Sequence, residues 1–180
     1  MVDLYIYIVL ILIDYVLCAE YASLSHELGH FRKASAYAPT KARICVRCHL
    51  PMPKVENVEI VKDNSSKDAG YIELENDFLP YTGDQISEIA KAGHRGALQF
   101  FLATTAAIQF AGAVVFFAAG GIAPVFAFFS GCIWLLCAVQ AIFCIIAYVL
   151  GKNKPDWSDY KIAKDPLGFR RARAKEMAQA

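Results

Sequence analysis

Ala119-Gly120-Gly121-Ile122-Ala123-Pro124 interrupts a run from Ala97 to Leu150 that holds no charged residue, and the reading of that run decides the fold. Its 54 positions are too many for one helical crossing of a hydrocarbon core roughly 30 Å thick, which takes about 20 residues, and enough for two. Paired glycines followed by a proline, which lacks an amide proton and cannot continue a helix, mark the break. The arms on either side, about 23 and 26 residues, each suffice to cross with some tilt. Ala103, Ala107 and Ala111 form a small-xxx-small stripe on the first arm, where helix backbones are expected to approach closely.

A third apolar segment opens the chain. Val2 to Ala19 is almost entirely Ile, Leu, Val and Tyr, with Asp14 as an interruption. It has no basic n-region and no small-x-small cleavage site, so it reads as a retained membrane helix rather than a signal peptide. Helical character runs on to about Ala36. Asp14 and Glu20 are costly in a bilayer unless they face protein or water, and satisfaction by neighbours is the expected reading for both. The fold class expected is therefore membrane α-helical, with three transmembrane helices and a small soluble α+β insert between the first two. The boundaries are residues 1–36 for the first helix, 37–96 for the insert, 97–150 for the second and third helices, and 151–180 for a polar tail.

The formal net charge of +1 gives no argument for a nucleic-acid partner, but the balance hides an asymmetry. Of the 18 Lys and Arg, ten fall between Phe31 and Ala97 and eight between Gly151 and Ala180. The positive-inside rule puts both segments in the cytoplasm, with the N-terminus outside and three crossings. The lipid bilayer is then the first partner. Oligomeric state is not readable.

Within the insert, Val55 to Ile60 and Tyr71 to Leu74 flank the turn-rich run Asp63 to Gly70, which predicts two strands paired as a hairpin. The strand over Val55 to Val61 is a candidate edge for holding an extended peptide by strand addition. Gly83 to Ala92 reads as a short amphipathic helix leading into the next span. Cys45-Val46-Arg47-Cys48-His49 has the spacing of a haem-attachment or metal motif. There is no second Cys-x-x-Cys, so a zinc there would need His49 and a remote group such as His94. Plain loop cysteines are the favoured reading, and the six cysteines do not form the pattern of a secreted disulfide scaffold.

Chemistry is concentrated at Ser25-His26-Glu27-Leu28-Gly29-His30. Two histidines four apart on a helix share a face, so both imidazoles can reach one zinc ion at about 2.0–2.1 Å. Glu27 can stand beside the open coordination position and take a proton from a water whose pKa the metal lowers to about 7. Catalytic zinc takes three protein ligands. A histidine in the longer metzincin pattern is excluded, because Lys33 and Ala36 stand where that motif needs Gly and His. The cytoplasmic end of the third helix carries Asp156 and Asp159 at the same membrane depth as His26 and His30. Asp159 is the preferred third ligand and Asp156 the reserve.

In these features the chain resembles the site-2 protease family of membrane-embedded zinc metalloproteases. His26, Glu27 and His30 match the first motif of that family, Gly29 included. Asn153, Pro155 and Ser158-Asp159 resemble the second, although Tyr160 stands where Gly is usual. Ala92-Gly93 also resembles the start of that family's second core helix. The resemblance covers the three-helix core and leaves residues 37–91 unmatched. It implies a zinc metalloendopeptidase with Zn²⁺ as cofactor and Glu27 as the catalytic base, cleaving a membrane-anchored protein or peptide within or beside the bilayer. The alternatives are a non-proteolytic membrane metal-binding protein, an inactive protease relative, and an adaptor whose insert binds a partner.

Overall fold

The computed structural model describes residues 2–63 and 70–178, with side chains described from residue 5 onward. Two long helices form its spine, α1 (Val2–Tyr37) and α2 (Gly83–Ala118), and a third, α3 (Ala123–Leu150), leans on them. Three short strands lie between α1 and α2: β1 (Ala42–Val46), β2 (Val58–Lys62) and β3 (Gly70–Leu74). After α3 a single 3₁₀ turn (Gly151–Asn153) leads to α4 (Asp159–Lys164) and α5 (Pro166–Met177). Three helices are long and apolar enough to cross a membrane, by length and composition. Large apolar side chains stand exposed on all three, among them Leu12 on α1, Phe110 on α2 and Leu135 and Phe143 on α3. A surface of that kind is far larger than the apolar patches of a water-soluble monomer.

The spine is tight because glycine lets it be. A Cβ on Gly96 of α2 would lie 2.6 Å from the Ser25 carbonyl oxygen and 3.0 Å from Gly29 Cα, and one on Gly29 would strike the Ala92 backbone. The backbones therefore meet along Gly29, Ala92, Gly93 and Gly96. The stripe of Ala103, Ala107 and Ala111 predicted for this role is exposed instead. Farther along, side chains join the helices: Tyr7, Phe116 and Ile133 near the far end, and Cys18, Phe101 and Cys137 midway.

Gly83 to Ala92 is not a separate helix. It is the first part of α2, so the predicted boundary between residues 96 and 97 falls inside one continuous element. A capping box opens that helix, Thr82 Oγ1 accepting from Gln85 N–H at 3.3 Å and Gln85 Oε1 accepting from Thr82 N–H at 2.8 Å.

The insert corrects the predicted hairpin. Both predicted runs contain strands, but β2 and β3 do not pair with each other. The order is β2-β1-β3, with β1 parallel to β2 and antiparallel to β3. The cause is β1, whose Ile44 and Val46 pack on Leu24 and Leu28 of α1 while Cys45 is buried on the opposite face. Arg43 alone of its five residues is exposed, so burial along the strand does not alternate regularly and its sequence does not announce it. Most of the turn-rich run between the two flanking strands lies outside the described residues.

A second core joins the insert to the tail. Phe31 and Ala34 of α1, Ala42, Leu74, Tyr81, Ile86, Ile89 and Phe169 of α5 form one buried cluster. Asp77 and Phe78 both take positive φ, 43° and 64°, which is strained for residues with side chains. α5 braces this bend: the Arg173 guanidinium donates to Asp77 Oδ1 at 2.7 and 3.2 Å, and Phe78 packs edge-on against Phe169. Insert and tail thus occupy the same end of the bundle.

Candidate metal centre

His26 and His30 sit one turn apart on α1, with their Nε2 atoms 3.1 Å from each other. Asp159, the first residue of α4, brings Oδ2 to 2.8 Å from His26 Nε2 and 3.4 Å from His30 Nε2. The donor atoms of these three residues lie within 4.8 Å of one another, and they are the group among the described residues that could hold a metal ion. Tetrahedral donors at about 2.0–2.1 Å from a common ion are about 3.3–3.4 Å apart. The observed separations, 2.8, 3.1 and 3.4 Å, run from hydrogen-bond length up to that figure.

Two local features suit the group to a cation. His30 Nδ1 lies 2.7 Å from the Ile89 carbonyl oxygen, which can only accept, so Nδ1 carries a proton and Nε2 is the nitrogen turned to the cluster, the one that would ligate an ion on giving up its own proton. Gly93 of α2 faces the same point. A Cβ there would come within 2.8 Å of His26 Nε2 and closer still to His30 Nε2. The space is kept by the absence of a side chain.

Asp159 reaches this position through three contacts of the tail. Ser158 Oγ donates to the Gly151 carbonyl at 2.7 Å and closes the turn after α3. Ser87 Oγ of α2 donates to the Ala163 carbonyl at 2.8 Å and holds α4 against the spine. Phe169 then anchors α5 in the lower core. Burial alone would raise the Asp159 carboxyl, but the His30 imidazole and hydrogen bonds from His26, His30 and His94 outweigh it and hold the carboxyl well below the usual carboxylate range. Asp156, the reserve candidate, is exposed at the rim and stands outside the three-donor group.

Glu27 is 7% exposed. It lines the same cavity as the three donors, a space of about 1440 Å³ that runs from Cys18 and Gln140 among the apolar helices down to Arg173 of α5. All five residues of β3 line it, whereas β2 does not. The sheet edge bordering the cavity is therefore β3, not the strand over Val55 to Val61.

Sequence reasoning gives His94 no role beyond that of a remote group a zinc at the cysteine pair would need. It stands at this centre, Nε2 3.3 Å from Asp159 Oδ2 and its ring 4.4 Å from that of His26. The usable signal is its position directly after Gly93, on the turn of α2 that meets His30. Cys45 and Cys48 are free thiols, both buried, and are not part of the group. His49 turns to α1, where its backbone N–H donates to Glu20 Oε2 at 2.6 Å. Glu20 is thereby satisfied, and Asp14 Oδ1 accepts from Thr105 at 3.1 Å.

No protein family matches the chain, and neither a curated protein nor a solved structure does.

Proposed function

We propose that the protein is a membrane-embedded zinc metalloprotease that cleaves a membrane-anchored protein or peptide within or beside the bilayer. One observation carries this reading: two imidazoles, a carboxylate from the far end of the chain and the buried Glu27 converge in a single cavity that extends among lipid-compatible helices. His26, His30 and Asp159 are the residues that would hold the ion. Two nitrogens and one carboxylate oxygen with a position left open form the donor set of a catalytic rather than a structural zinc. Zinc bound there supplies a Lewis acid for the scissile carbonyl and a water of lowered pKa, about 7.

The residues of the chain do the rest. Glu27 accepts the proton of the attacking water and returns it to the amine that leaves when the C–N bond breaks. The amides of a substrate helix are closed in internal hydrogen bonds, so the chain to be cut must be extended first. The edge of β3 lines the same cavity as the donors and offers backbone groups to such a strand. The apolar arm of the cavity, lined by Cys18, Phe143 and Ala147, receives the membrane portion. In this reading the N-terminus lies outside, and the insert, the tail and the active site lie at the cytoplasmic face. The support is the shared location of both basic segments at one end of the bundle.

The test is Glu27→Gln in the full-length protein. Retained zinc with cleavage of a membrane-anchored reporter lost is the expected result. Unchanged cleavage would remove Glu27 from the mechanism, and a wild type that binds zinc but cleaves nothing would favour a metal-binding protein without protease activity.

A further inference from the structure

His94 belongs to no part of the motif that defines the centre, yet its surroundings assign it a definite orientation. The Asp159 carboxylate accepts, so the Nε2 atom 3.3 Å away is the one that carries the ring proton. The other nitrogen, Nδ1, lies 3.5 Å from Cys144 Sγ of α3, close enough to accept the thiol proton. The ring is held between the His26 imidazole at 4.4 Å, nearly perpendicular, and the Tyr148 ring at 4.7 Å. Tautomer and orientation are thus both set by neighbours from α1, α3 and α4.

The position of Nε2 excludes the simplest role. His94 is not among the three residues whose donor atoms lie within 4.8 Å of one another, although it touches the same oxygen of Asp159 as they do. A carboxylate oxygen has two lone pairs. One can face the point shared by His26 and His30, and the other is then occupied by His94 from a different side. We infer that His94 is a positioning residue, which fixes Oδ2 of Asp159 as the third metal donor by hydrogen-bonding it from outside the coordination sphere. Metal-ligating carboxylates need such a partner because an unrestrained one swings away or turns its other oxygen inward. The demand is acute here, since Asp159 stands on a helix of six residues at the end of an otherwise exposed turn. This inference rests on the metal-centre reading above but not on proteolysis.

The experiment measures Zn²⁺ affinity of the full-length protein in lipid nanodiscs by competition with a chromophoric chelator. Co²⁺ absorption serves as a second readout of the ligand set, and thermal unfolding of the apo forms as a check on folding. His94→Ala should weaken Zn²⁺ binding about 10–100-fold while the Co²⁺ band keeps the intensity of an unchanged coordination number. His94→Gln, whose amide can donate to Asp159, should recover part of the loss, which a mere packing role would not produce. Wild-type affinity in His94→Ala would overturn the inference, as would a Co²⁺ band showing that a ligand had been removed. A wild type that binds no Zn²⁺ would overturn the metal reading together with it. Intact affinities and the expected variant pattern in a protein that hydrolyses nothing would leave this inference standing and overturn proteolysis alone.

Discussion

Gly93 of α2 stands directly over His30 of α1, so near that a single methyl group on it would occupy the point on which the imidazole nitrogens converge. Helix packing and site chemistry are the same contact here. The glycines that let the two backbones touch also clear the volume for an ion.

Gly93→Ala therefore separates the two. Alanine favours a helix interior over glycine by about 1 kcal/mol, so helical content should be kept or slightly raised. Zn²⁺ affinity should fall by about 10–100-fold or more, as expected when a Cβ displaces the two imidazoles. Circular dichroism with metal analysis of the purified variant reads both quantities, and full zinc occupancy would show that the cradle is wider than described.

Asp159→Asn and Asp156→Asn should behave differently. Asp159 faces both histidines, and its replacement should remove zinc and activity together; Asp156 is exposed, and its replacement should change zinc content little. Elemental analysis after dialysis against a chelator is the measurement. Equal losses in both variants would mean that the turn between α3 and α4 rearranges around the ion.

The tail is held by its buried ring rather than by its ion pair. Arg173 and Asp77 form an exposed pair worth less than about 1 kcal/mol, so Arg173→Ala should barely lower the melting temperature. Phe169, 7% exposed in the lower core, should cost about 3–5 kcal/mol when cut to Ala. Because α5 continues directly from α4 and packs against it, Phe169→Ala should also weaken metal binding. Thermal unfolding with and without Zn²⁺ separates the two effects.

The buried carboxyl of Asp14 is better removed than stripped of its partner. Its Oδ1 accepts from Thr105, while Oδ2 is buried without a hydrogen bond. Thr105→Val should destabilise by about 1–3 kcal/mol, whereas Asp14→Leu should be near neutral or stabilising. Denaturation in mixed micelles gives the order of the three proteins; a large loss in Asp14→Leu would assign the carboxyl a positive role.

Strand addition at β3 makes a prediction about the substrate. N-methylation of alternate amides in a peptide flanking the scissile bond should lower kcat/KM at every second position, because only alternate N–H groups point at a neighbouring strand. Uniform tolerance would exclude β3 as the docking edge.

The legible and illegible parts of this molecule divide along a physical line. His26, Glu27 and His30 are set by one turn of one helix, and that spacing is local. Asp159 was reachable because two crossings return the chain to the depth it left, an argument from membrane thickness rather than from contact. Apart from the start of α2, which runs on unbroken from Gly83, the misreadings involve neighbours distant in sequence. Burial along β1 does not alternate regularly, Arg43 alone of its five residues being exposed, so the hairpin prediction joined the two strands that flank it. Ala103, Ala107 and Ala111 have the residue types of a helix interface, but the interface formed one face away, where Gly29 and Gly96 meet. His94 has no spacing to the motif at all, and its place at the centre follows only from the docking of α2 on α1.

The turn that carries Asp159 also sets when the centre can exist. His26 and His30 stay side by side on α1 whatever the turn does, whereas their acidic counterpart depends on the exposed stretch from Lys152 to Trp157. A nick in that stretch would leave the long helices packed and let the carboxylate drift off, so the bundle would outlast any ability of the three donors to act as a set.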